Sequence, residues 1–105
     1  MQFDPNTAIV KAVELSTAHL TKPDMQLLQS LADQYAASSV PPTVMAHLYG
    51  AVITIGALTV EAIKAAGCSS QLGAILDGCL RDGEVMYLAF DSTGPFVEGL
   101  EEFDW

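Results

Sequence analysis

The stretch PTVMAHLYGAVITIGALTVEAIKAAG, residues 42–67, constrains the fold more than any other part of the chain. From Val44 to Ala57 it carries no formal charge when His47 is neutral, so it must be buried in protein or in lipid. Read at helical spacing, Thr43, His47, Gly50, Thr54, Ala57, Glu61 and Lys64 recur in steps of four and three. They form one polar-or-small stripe on an otherwise apolar cylinder. A lipid-facing helix has no use for such a stripe, which predicts the central helix of a bundle with no membrane association. Gly50 and Ala57 on the stripe would let a second backbone approach closely. The run AVITI also suits a buried strand, because Val and Ile favour sheets. Length and the stripe favour the helix.

Three further helices are expected. DPNTAIVKAVELSTAHL opens with Asp4 as N-cap and Pro5 at the first helical position, and Ile9, Val13, Ser16 and Leu20 then share a face. TKPDMQLLQSLADQYAA has Pro23 near its start and a stripe of Leu27, Leu28, Leu31 and Tyr35. The prolines of SSVPP break the pattern. SSQLGAILDGCLRDG is capped by Ser69 or Ser70 and ended by Gly83, with Leu72, Ile75, Leu76, Cys79 and Leu80 as its apolar face. Gly67 ends the helix before it. EVMYLAF fits a buried strand or a short buried helix, and DSTGP is a turn.

The expected architecture is therefore mainly α: a compact four-helix bundle over residues 1–105, one domain. A short helix or β-hairpin follows residue 83, and residues 92–105 form an acidic aromatic segment. Leu31, Ile53, Leu58, Ile63, Leu72, Ile75 and Leu76 are the expected core.

Charge narrows the function. The chain has 13 acids against 4 bases, a formal net charge of −9. Residues 77–105 hold eight acids against Arg81 alone, a net of −7, while residues 1–76 carry only −2. Such a surface repels phosphate backbones and argues against direct nucleic-acid binding. It would attract a basic partner protein.

No motif fixes a chemistry. There is no phosphate-binding glycine loop, CxxC, HExxH or GxSxG. His19, His47, Cys68 and Cys79 lack ligand spacing, so neither a metal nor another cofactor is expected. His47 and Glu61, on one helix, would stand about 21 Å apart, too far for an acid–base pair. His19 is expected at a helix C-terminus, where the dipole favours an imidazole. Cys79 on an apolar stripe reads as a small core side chain. The start MQFDPNTAIVK lacks a basic, then apolar, leader, and two cysteines without a secretory context suggest reduced thiols and a cytoplasmic location. The pattern of acyl carrier proteins, aspartate–serine–leucine at the start of a mid-chain helix, is not met. The nearest stretch, FDSTGPFVEGL, lies late in the chain and has Thr93 in place of the leucine.

The segment GPFVEGLEEFDW is the candidate site. Five of the eight aromatic residues, Tyr87, Phe90, Phe96, Phe103 and Trp105, fall in the last 19 positions. As a helix from Pro95, Phe96, Leu100 and Phe103 cluster within about 60°. Glu98, Glu101, Glu102 and Trp105 then face away. As a strand, Phe103 and Trp105 share a face with Glu101. Either way, Glu98, Glu101, Glu102, Asp104 and Trp105 are expected to form an exposed contact surface for a basic partner, with charge steering encounter and aromatics anchoring contact. The expected function is a non-enzymatic inhibitor or immunity-type protein. Two alternatives are a homo-oligomer, such as a homodimer paired through the apolar third helix, and a small-ligand-binding bundle using the His47 stripe.

Overall fold

The computed structural model describes residues 2–38 and 43–105. It shows a mixed four-stranded sheet with three α-helices, which overturns the four-helix bundle. The strands are β1 (Lys11–Ser16), β2 (Val44–His47), β3 (Gly50–Thr54) and β4 (Val85–Asp91). The helices are α1 (Lys22–Ala36), α2 (Ala57–Ala65) and α3 (Ser70–Asp82). The strand order is β1-β4-β3-β2. β4 lies parallel to β1 and antiparallel to β3, which pairs antiparallel with β2.

The first expected helix dissolves into a single 3-10 turn at Pro5–Ala8, then β1, then a second 3-10 turn at Thr17–His19. Asp4 does act as a cap, accepting from Asn6 N–H, but nothing buries the turn it starts. In β1, period-two alternation prevails over the helical spacing. Val13 and Leu15 face the core, while Ala12 and Glu14 are exposed.

The third expected helix splits into the β2–β3 hairpin and the nine-residue α2. Its β-branched residues pair across strands: Val44 with Ile53, and Ile53 with Leu88. The polar stripe is thereby scattered over two strands and a helix. Gly50 is required here, because a Cβ would fall 1.8 Å from the Phe90 carbonyl oxygen. Leu58, expected in the core, is 82% exposed at the start of α2. The break expected at SSVPP falls mainly on residues 39–42, outside the described residues.

Two helices form where the sequence places them. Thr21 and Asp24 make a reciprocal capping box at the start of α1, and Ser69 caps α3 by accepting from Leu72 N–H at 3.2 Å. One buried carboxylate joins the two helix starts. Asp24, 2% exposed, accepts from Ser69 N–H at 2.8 Å and from the Ser69 hydroxyl. Satisfied on both oxygens, the charge is held where an unpaired carboxylate would be prohibitive.

The core lies between one sheet face and the helices. Val13, Leu15, Leu88, Phe90, Ile53 and Val44 meet Met25, Leu28, Val60, Ile63, Leu72 and Leu76. The other sheet face carries Glu14, Tyr87 and Met45, all exposed. Among the described residues no helix is long and apolar enough to cross a membrane. After β4 there is neither helix nor hairpin: residues 92–105 run without regular structure.

Candidate functional site

The last fourteen residues are tied to the body by backbone bonds. The chain leaves β4 through a turn in which Asp91 accepts from Thr93 N–H at 2.9 Å and from the Thr93 hydroxyl at 2.7 Å. These two bonds, with a smaller contribution from His47, hold the Asp91 carboxyl below its ordinary value. Ser16 N–H then donates to Pro95 O at 2.8 Å, and Phe103 N–H to Ala18 O at 2.7 Å. A turn from Val97 to Leu100, closed by Leu100 N–H on Val97 O, reverses the chain. Gly99 at its third position has φ +93°, which a side chain would oppose.

His19 is the hub of this docking. It is fully buried at the end of a 3-10 turn, where a position at an α-helix C-terminus was expected. Its Nε2 accepts from Val97 N–H at 2.9 Å, and its Nδ1 faces Glu101 O at 3.0 Å. An amide N–H can only donate and a carbonyl can only accept. The hydrogen therefore sits on Nδ1. The Phe96 ring meets the imidazole edge-on, with centroids 5.9 Å apart. Gln71 in the first turn of α3 completes the attachment, bonding both His19 O and the Glu101 backbone.

Of the five expected contact residues, Glu98, Glu101, Glu102 and Asp104 are exposed, and Trp105 is 54% exposed. Glu101 is fixed through its backbone, leaving its carboxylate outward. Trp105 is not loose: its indole Nε1–H donates to Leu20 O at 2.9 Å. So anchored, the ring forms a wall between two adjoining cavities. One, of about 250 Å³, is also lined by Met25, Gln29, Leu48, Tyr49 and Ser92. The other, of about 290 Å³, is lined by Phe96, Phe103 and Asp104.

Sequence reasoning missed Leu48 and Tyr49, which it placed inside a helix. They form the β2–β3 turn and are 86% and 59% exposed. The Tyr49 backbone is fixed on both sides, its N–H to His47 Nδ1 at 3.2 Å and its carbonyl accepting from Ser92 N–H at 2.9 Å. The local signal that usually marks such a turn is a glycine or asparagine with positive φ. Neither residue is one, and neither has positive φ.

Among the described residues no three His, Cys, Asp or Glu side chains gather as metal ligands would. Cys68 and Cys79 are free thiols, and burial raises the pKa of both, which suppresses the thiolate. Of the four bases, Lys11 pairs with Asp82 at 2.7 Å and Lys64 with Asp77 at 2.9 Å, and none lines either cavity beside Trp105.

Residues 12–105 match the model of the C-terminal domain of a family of unknown function, DUF5983. No curated protein and no solved structure matches the chain.

Proposed function

The chain belongs to that DUF5983 family, and within it we propose that this domain is a non-enzymatic binding protein that covers a basic surface of a partner protein, as an inhibitor or immunity protein does. The observation that carries the reading is the placement of Trp105. The ring is half-exposed, held by Leu20, and joined to exposed Tyr49 and Leu48 across a cavity. Preceding it in sequence are the exposed Glu98, Glu101, Glu102 and Asp104, with no base among residues 82–105, and Asp104 shares a cavity with the ring. Rigid aromatics flanked by charge are what a protein-binding surface needs: the ring supplies contact area at little entropic cost, and the acids steer a basic partner.

The test is affinity capture from a host lysate at low and at high salt, with the wild type beside Trp105→Ala and a Glu98→Lys, Glu101→Lys, Glu102→Lys, Asp104→Lys variant. A basic protein held at low salt, released at high salt and lost in both variants supports the reading, provided circular dichroism shows them folded. Capture indifferent to salt and to both variants would overturn it.

A further inference from the structure

We propose that the cavity between Tyr49 and Trp105 is the seat of a single arginine side chain from the partner; this deepens the binding reading above and rests on it. At about 250 Å³ the cavity lies below the roughly 300–1,000 Å³ of small-molecule sites, so it suits one side chain better than a cofactor. Its lining includes the aromatic residues Tyr49 and Trp105 and the apolar Met25 and Leu48, which match a three-carbon stem and a planar cation, with His47 beside them. The Trp105 ring is held in advance by its indole N–H on Leu20 O, and the Tyr49 backbone, though not its ring, is fixed by His47 and Ser92. Little order of the Trp105 ring is then lost on binding.

Polar groups point the same way. Thr17, Gln29 and Ser92 line the cavity, and among the described residues their side chains make no hydrogen bond. They offer acceptors to a guanidinium that carries five N–H donors. No lysine or arginine of this chain lines the cavity to compete, and Asp104 lines the neighbouring one. Lysine fits less well. Its ammonium is more strongly hydrated and cannot stack on the rings as a flat guanidinium does.

Trp105 is the only tryptophan, so its fluorescence reports on the cavity directly. The experiment titrates the protein with a nona-arginine peptide, a nona-lysine peptide and a nona-citrulline peptide at low salt. The inference expects a saturable change with arginine, affinity for lysine weaker by about tenfold, and no binding of citrulline. Tyr49→Ala, checked for folding by circular dichroism, should erase the preference for arginine, and Tyr49→Phe should keep it. Equal binding of arginine and lysine peptides, or a preference that survives Tyr49→Ala, would overturn the arginine seat while leaving the basic-partner reading intact. Binding of neither cationic peptide would overturn both.

Discussion

The side-chain amide of Gln71 grips the Glu101 backbone at both ends, Nε2 donating to its carbonyl at 2.7 Å and Oε1 accepting from its N–H at 2.8 Å. A single side chain thus supplies what a neighbouring strand would. The same Nε2 reaches His19 O at 3.0 Å, so α3, the His19 turn and the last segment meet at one amide. The segment that carries the candidate site is docked on the fold, and its geometry depends on residues far away in sequence.

Gln71→Ala removes all three bonds and should destabilise the protein by about 1–2 kcal/mol. Thermal unfolding would show this as a fall of several degrees. Gln71→Glu keeps the acceptor for Glu101 N–H but loses the donor, and should do no better than half as well. An unchanged melting temperature in Gln71→Ala would mean that the clamp carries no weight.

His19 should be the Nδ1–H tautomer, since Val97 N–H occupies Nε2. Long-range proton–nitrogen correlation spectra distinguish the two ring nitrogens. A spectrum with the hydrogen on Nε2 contradicts the docking described here. His19→Leu should release the Val97 and Glu101 contacts and raise amide exchange across residues 96–103.

Core truncation should discriminate between helix faces. Leu76 is fully buried, and Leu76→Ala should cost about 2–5 kcal/mol in a denaturant titration. Leu58 is 82% exposed, and Leu58→Ala should stay within about 0.5 kcal/mol. A large loss at Leu58 would restore the buried helix that the apolar run suggested.

Acid should act through Asp91 and Asp82. Thr93 lowers the pKa of Asp91, and the Lys11 bond lowers that of Asp82, with Glu84 N–H adding to it. Each folded value lies below the unfolded one. Their stabilisation is therefore complete above the ordinary carboxylate range and is lost as pH falls through the lowered values. Lys11 is raised by the same Asp82 bond, so its share is complete below the usual lysine value and fades as pH rises through the raised one. Carboxyl NMR titration checks this: both aspartates should titrate below 3.8, the ordinary value.

The sequence disclosed the helices that carry their own boundary chemistry. Pro23 announces α1, whose Thr21–Asp24 capping box the structure adds, and Ser69 and Gly83 bracket α3. In the remaining elements, pairing partners decided the outcome. Val13 fits a helical stripe with Ile9, Ser16 and Leu20, yet it and Leu15 pair with Leu88 and Phe90, more than 70 positions on. Local spacing cannot see such a neighbour. The run from Val44 to Thr54 hid a hairpin because its turn is Leu48–Tyr49, with no residue that marks a reversal. The site was legible in composition, as clustered acids and aromatics, and illegible in geometry. Nothing in GLEEF indicates that Gln71 and His19 hold it, since both act on its backbone and leave no demand on side-chain type.

The placement of β4 between β1 and β3 sets an order of events. Both β1 and β3 pair with this strand, and it is the last of the four along the chain. Until residues 85–91 are available, β1 has no partner, and β2 with β3 is a two-stranded hairpin of the kind that is marginal in water. Joining Val13 to Leu88 closes a loop of 75 positions, whose length-dependent entropic cost is about 4 kcal/mol. That cost falls before the core contacts repay it, so the domain should fold slowly for its size. A nascent chain still short of residue 91 exposes Val13, Leu15 and Ile53 together, and it is at this stage of synthesis that chaperone capture and aggregation compete with folding.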